Sequence, residues 1–266
     1  VKILLLLALV SAHRIEQKVS MSGPPTAASP PEQKSIMLWD GAKLRTDNGA
    51  QSSSIVDFKT DNLLMLDHEK KQYTEMKVSE MIAQMKRAME AMKAQAASFP
   101  PEQRKAYEDM IQKQTAPLTM EATQEKQKII GLDATKFLLK QGGAPLGEVW
   151  YTKGVELADL APYAKQFADM MKGATGSNWG DVFAKTENGY PLRSVIVIEM
   201  MGKKMSYVTE TVKYEKVSAA PSDFAVPAGY KKVDPNAAQL PGKTNAEAGG
   251  AIPAKKAADA PKKSAP

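Results

Sequence analysis

Fifteen methionines, two histidines and no cysteine decide which chemistries the side chains of this chain can support. Without thiols there is no disulfide framework, no cysteine-bound zinc and no sulfur nucleophile. Thioethers remain, and they have two uses: as soft ligands for Cu(I) and as unbranched, adaptable filler for apolar grooves. Their spacing separates these uses. Met81, Met85, Met89 and Met92 recur at helical intervals with Ile82 and Ala88 beside them, while Lys86, Arg87, Glu90 and Lys93 fall elsewhere on the helix. A methionine stripe of this kind reads first as core or ligand surface. A Cu(I) site, with His13 at a processed amino terminus, ranks behind it.

Other catalytic constellations fail on spacing. The segment Gly173-Ala174-Thr175-Gly176-Ser177-Asn178-Trp179-Gly180 fits neither the phosphate-binding loop nor the Gly-x-Ser-x-Gly elbow, and reads as a loop. There is no calcium loop and no pair of histidines at metal-binding spacing. Carboxylates are abundant, but nothing selects two of them for acid and base work. The expectation is a non-catalytic protein with no cofactor.

The elements that must position the methionines are read from periodicity. Ile15, Gln17, Val19 and Met21 alternate with Arg14, Glu16, Lys18 and Ser20, the mark of an antiparallel strand with one wet side. Ser35 to Trp39, Ser53 to Phe58, Leu63 to Asp67 and Gln72 to Lys77 follow as short strands, with turns at Asp40-Gly41, Asp61-Asn62 and Asp67-His68-Glu69-Lys70. Helical spacing then takes over. The methionine helix stops at Phe99-Pro100-Pro101, and a second helix running to about Lys113 makes a hairpin with it. Strands return over Leu118 to Ile130, Ala134 to Lys140 and Glu148 to Thr152, with a bulge or bend at Gly131. A third helix is predicted from Asp159 to Lys172, with Phe167 and Met170 in its apolar stripe. Ser194 to Met200 and Met205 to Lys216 close the series as a hairpin.

The two ends differ from the body. Ile3 to Val10 is an uninterrupted apolar run after Lys2, and Val10-Ser11-Ala12 suits signal-peptidase cleavage, so residues 1–12 are expected to be an export signal. The run is too short to span a bilayer. Residues 235–266 are Ala, Pro, Gly and Lys with almost no large apolar side chain, and are expected to be disordered. The calculated pI is 9.2, but from Lys231 onward seven Lys face only Asp234, Glu247 and Asp259. Most of the net charge of +6 therefore sits in the tail, the body is close to neutral, and nucleic acid is not an expected partner.

Certain segments carry a resemblance. They are Trp39-Asp40-Gly41-Ala42-Lys43-Leu44-Arg45-Thr46-Asp47, Ser54-Ile55-Val56-Asp57, Leu64-Met65-Leu66-Asp67, Lys71-Gln72-Tyr73, Gly147-Glu148-Val149-Trp150-Tyr151-Thr152, Tyr190-Pro191-Leu192-Arg193 and Phe224-Ala225-Val226-Pro227-Ala228-Gly229-Tyr230. In that order they resemble an uncharacterised family of exported bacterial proteins, itself similar in fold to the outer-membrane lipoprotein carriers and their mycobacterial lipid-transporting relatives. The resemblance implies an α+β fold over residues 13–234: a curved, incomplete antiparallel β-barrel with helices over its concave face and a helical insertion at about 79–114. Arg45, Asp47, Asp57 and Asp67 are read as structural.

The function expected from these readings is a periplasmic or secreted, soluble binding protein. Its partner would be a lipid or acylated protein in an apolar groove lined by Met81, Met85, Met89, Met92, Trp150, Phe167 and Met170. The alternative is an envelope interaction protein with a filled core. In either case the lysine tail could touch a membrane surface or envelope polymer.

Overall fold

The structure is a computed structural model that describes residues 10–23, 32–155, 188–200 and 203–235. The N-terminal half is a meander of β1 (Val10–Ser22), β2 (Gln33–Trp39), β3 (Lys43–Asn48), β4 (Ser52–Asp57), β5 (Asn62–Asp67) and β6 (Gln72–Lys77). Two helices follow, α1 (Val78–Ala96) and α2 (Pro101–Thr115). A second group contains β7 (Leu118–Ile129), β8 (Leu132–Gln141), β9 (Ala144–Thr152), β10 (Tyr190–Met200) and β11 (Lys203–Ala219), followed by a 3-10 turn at Pro221–Phe224 and the two-residue β12 (Lys231–Lys232). All twelve strands form one open sheet in the order β12-β6-β5-β4-β3-β2-β1-β11-β10-β9-β8-β7.

Local chemistry explains the hairpins. Asp40 accepts from the backbone N–H groups of Ala42 and Lys43 at 2.9 and 2.7 Å, and Asp57 and Asp67 accept backbone N–H groups in the β4–β5 and β5–β6 turns. This is how aspartate stabilises a turn. Backbone crowding explains two glycines, Gly147 of the resemblance segments and Gly189 just before one of them. A Cβ on Gly147 would lie 2.0 Å from the Val195 carbonyl oxygen, and one on Gly189, at φ +96°, would lie 1.9 Å from that of Thr152. The bend expected at Gly131 is the two-residue turn between β7 and β8, with Ile130 at φ 48° and Gly131 at φ 82°. Positive φ at both positions suits the right-handed strand twist, but a β-branched residue there is strained.

The sheet is joined at its middle by β1 and β11, paired from Val10 opposite Ala219 to Ser22 opposite Ser206 with a bulge at Glu16/Gln17. Val10, Ser11 and Ala12, the residues of the expected cleavage site, lie in this ladder, and Ala12 is fully buried. A cut after Ala12 would remove three residues of β1.

The C-terminal segment crosses back over the N-terminal half as a strap. Phe224 is buried in a cluster with Ala12, Ile55, Leu66 and Ala219. Lys231 and Lys232 pair in parallel with Gln72 and Tyr73 at the β6 edge, and Lys232 reaches Glu75 at 2.6 Å. Beneath the strap runs a chain of polar groups. The Arg45 guanidinium donates to Asp47 at 2.8 Å and to the Asp223 carbonyl at 3.0 Å. Ser53 donates its hydroxyl proton to Asp47 and therefore accepts from His68 Nε2–H. That tautomer leaves His68 Nδ1 to accept from the Tyr230 hydroxyl at 2.6 Å. The Tyr230, His68 and Ser53 donors run from the strap toward Asp47, while Arg45 donates both to Asp47 and back to the strap.

The open sheet with few helices agrees with the coarse fold expectation. Helices over a concave side are not seen among the described residues. The packing of α1 on the sheet comes from its first turns, where Val78, Met81 and Ile82 join Leu63, Met65 and Met76. Helix α1 starts directly after β6, so its first turns are tied to that end of the sheet. The third predicted helix, with Phe167 and Met170, lies outside the described residues.

Two stability measurements test this description. Ile130→Asn keeps the turn while removing the strained branch, and should raise stability by about 1 kcal/mol in urea titrations. Tyr230→Phe keeps the ring but removes the proton accepted by His68, and should lower stability by about 1 to 2 kcal/mol. The loss should shrink in a His68→Ala background.

Candidate functional site

Strand register assigns every side chain to one of two sheet faces, and the faces differ in kind. Following the pairings from β6 across to β7 places Met21, Met37, Met65, Met76, Met120 and Met205 on the same face. Ile15, Trp39, Leu44, Val56, Phe137, Val149, Tyr151, Ile196 and Tyr207 accompany them. Among the described side chains, the Asp, Glu, Lys and Arg residues that register places here, Asp67, Lys126, Lys128, Asp133 and Lys216, lie toward strand ends. This is the methionine face. Ile15, Trp39, Leu63, Met76, Val149 and Tyr151 are buried on it, whereas Met21, Met37, Met65, Met120 and Met205 are only half-buried.

The other face carries the charge. Arg14 bridges Glu16 at 3.1 Å and Glu215 at 3.4 Å, and Lys213 bridges Glu215 at 2.9 Å. Lys136 bridges Glu148 at 2.9 Å and Glu125 at 3.3 Å. One-sided charge across so many strands means that only one face is built to meet water unaided.

Near the β1 and β11 bulge lies a polar island, in which Gln17, Thr211, His13 and Tyr214 of the methionine face meet Tyr190, a residue paired with Thr152 and packed against the Trp150 cluster. Gln17 Nε2 donates to the Tyr190 hydroxyl at 3.3 Å and to Thr211 at 3.4 Å. His13 stacks on Tyr214, with Nδ1 3.0 Å from its hydroxyl. Burial pushes the Tyr190 phenol above its ordinary range, opposed by the hydrogen bond with Thr211.

Of the expected groove residues, Met81, Met85, Met89, Met92 and Trp150 are described and do not come together, and Phe167 and Met170 lie outside the described residues. Met81 packs with Leu63 and Met76 at the β6 end of the methionine face. Met89 is half-buried, while Met85 is 39% and Met92 53% exposed. Trp150 is buried on the charged face, where its indole N–H donates to Glu148 at 3.3 Å and the Lys136 ammonium sits 5.8 Å from its ring centroid. Its neighbours Val149 and Tyr151 take the methionine face instead. Sequence reasoning missed the sheet methionines because Leu63-Leu64-Met65-Leu66 is apolar at every position and hides its period. The alternation from Ile15 to Met21 was the available signal.

Asp47, Ser53 and His68 also meet, but in an order unsuited to nucleophilic catalysis. The carboxylate accepts from serine rather than orienting the imidazole, and Ser53 is buried beneath the strap. Among the described residues, no group of three or more His, Asp or Glu side chains is placed to hold a metal.

The charged face makes a prediction about acid. The hydrogen bond from Lys136, helped by the indole N–H of Trp150, holds the Glu148 carboxyl below its ordinary value. A depressed carboxylate adds stability that is present above its unfolded value of about 4.3 and is lost as pH falls through the lower folded value. Urea midpoints should therefore fall on acidification from about pH 6 to about pH 3, and fall less steeply in Lys136→Met. Asp67, Glu75 and Glu215 are lowered by their own partners and keep a residual slope in that variant.

Comparison with known proteins adds a family and two likenesses. No curated protein matches the sequence. The chain is similar to a LolA superfamily protein of Nitrosomonas europaea, at 7% identity over 80% of this chain and 90% of that one, with a TM-score of 0.32. It is similar also to a chain of the MucA/MucB complex of Pseudomonas aeruginosa, at 7% identity, 82% of this chain and a TM-score of 0.33. It spans 56% of that second chain. Likeness at this level assigns neither ligand nor partner. A family model matches residues 91–230, from the second half of α1 through β7 to β11 and the strap as far as Tyr230, and the chain belongs to the family described as a domain of unknown function (DUF4412).

Proposed function

We propose that this protein is an exported, non-catalytic binding protein that holds an acyl chain, of a lipid or of an acylated protein, against the methionine face of its sheet. The observation that carries this reading is the charge asymmetry of the two faces. One is laced with ion pairs, and the other is apolar and only half-covered at Met37 and Met65. Each methylene moved from water onto such a surface contributes about 0.8 kcal/mol, so an acyl chain needs no ionic anchor. Unbranched thioethers can repack around chains of different shape at small cost in strain. Of the residues named from sequence, Met81 borders this surface.

The reading is tested by purifying the protein without detergent and extracting it with organic solvent. Stoichiometric acyl lipid, or uptake of a fluorescent fatty acid by the stripped protein, is the expected result. Met37→Lys and Met65→Lys place a charge where the chain would lie and should weaken uptake at least about tenfold. A clean extract with no uptake would mean a face filled by the protein's own residues, and would sink the proposal.

A further inference from the structure

The stripe of α1 does not end where the sheet ends. It is buried at Val78 and again at Ala96, with 8% and 4% exposure, and between these anchors Met85 and Met92 stand 39% and 53% exposed. The two methionines are seven residues apart on one side of the helix, with half-buried Met89 between them. Each is followed directly by an exposed lysine, Lys86 or Lys93, placed at the flank of the stripe. Large apolar side chains held in water by a helix fixed at both ends are a surface in search of a cover.

We infer that α1 docks in the plane of an anionic phospholipid surface, with Met85, Met89 and Met92 entering the acyl boundary and Lys86 and Lys93 reaching the headgroup phosphates. Charge decides for this occupant. The cations stand beside the exposed methionines, where a long stem can lie along the apolar layer while the ammonium stays at headgroup level. Arg87 adds a third positive group on the helix, against Glu80 and Glu90. The tail need not take part, and neither does any cargo, so this docking stands or falls separately from acyl binding.

The test is co-sedimentation of the full chain with vesicles of equimolar phosphatidylcholine and phosphatidylglycerol, alongside vesicles of phosphatidylcholine alone. The wild-type chain should sediment with the mixed vesicles. Both methionines are already in water, so Met85→Glu/Met92→Glu should fold with an unchanged melting temperature and bind at least about tenfold more weakly. Lys86→Gln/Lys93→Gln should lose the preference for the anionic vesicles and much of its sensitivity to added salt. Wild-type binding by the methionine variant would place any membrane contact in the lysine tail and overturn the inference. Failure of the wild-type chain to sediment would overturn it equally, as would capture of α1 only by an acidic peptide. Fatty-acid uptake, measured on the same samples, reports separately on the sheet.

Discussion

The ladder between β1 and β11 is the interaction on which the remaining architecture depends. It joins Val10–Ser22 to Lys203–Ala219 and so fuses two meanders that would otherwise be separate small sheets. Each meander alone would expose an edge and both faces. Together they give a surface wide enough for one face to be apolar over many strands. The bulge at Glu16/Gln17 adds local twist at the join, and Gln17, Thr211 and Tyr190 meet there because of it.

From that fusion follows the division of labour between faces. Cross-strand ion pairs such as Lys136 with Glu148 are modest individually, being partly exposed. Their larger effect is to fix which face meets water, because a register slip of one residue would turn Lys136 and Glu148 into the methionine face. The strap reinforces the choice in the N-terminal half, since Phe224 and Tyr230 cover the apolar positions that lie on the charged side. The methionine face has no equivalent cover among the described residues beyond the first turns of α1.

Much of the element list was legible in sequence, for local reasons. The alternation in β1, the aspartate turns and the period change after Lys77 each need only neighbouring residues. Pairing partners were not legible. Nothing near His13 announces Tyr214, and nothing near His68 announces Tyr230, because these contacts cross most of the chain. The same limit applies to the candidate site. A helical stripe from Met81 to Met92 stands out in one dimension, while Met21, Met37, Met65 and Met205 become one surface only when register is known. Trp150 drew attention as a large aromatic, and its facing becomes readable only from its pairing with Lys136 and Arg193.

The placement of β11 and the strap also dictates an order of events. A growing chain presents β1 long before β11 and the strap, which supply the central partner of β1 and the cover for Leu66. Until residue 219 is available, the first meander has a bare side and an open flank. Long-range closure of this sort is slow and leaves sticky intermediates in the meantime. A chain built this way reaches its final form only after residues some two hundred positions beyond β1 have been made, which gives any holding factor a long interval in which to act.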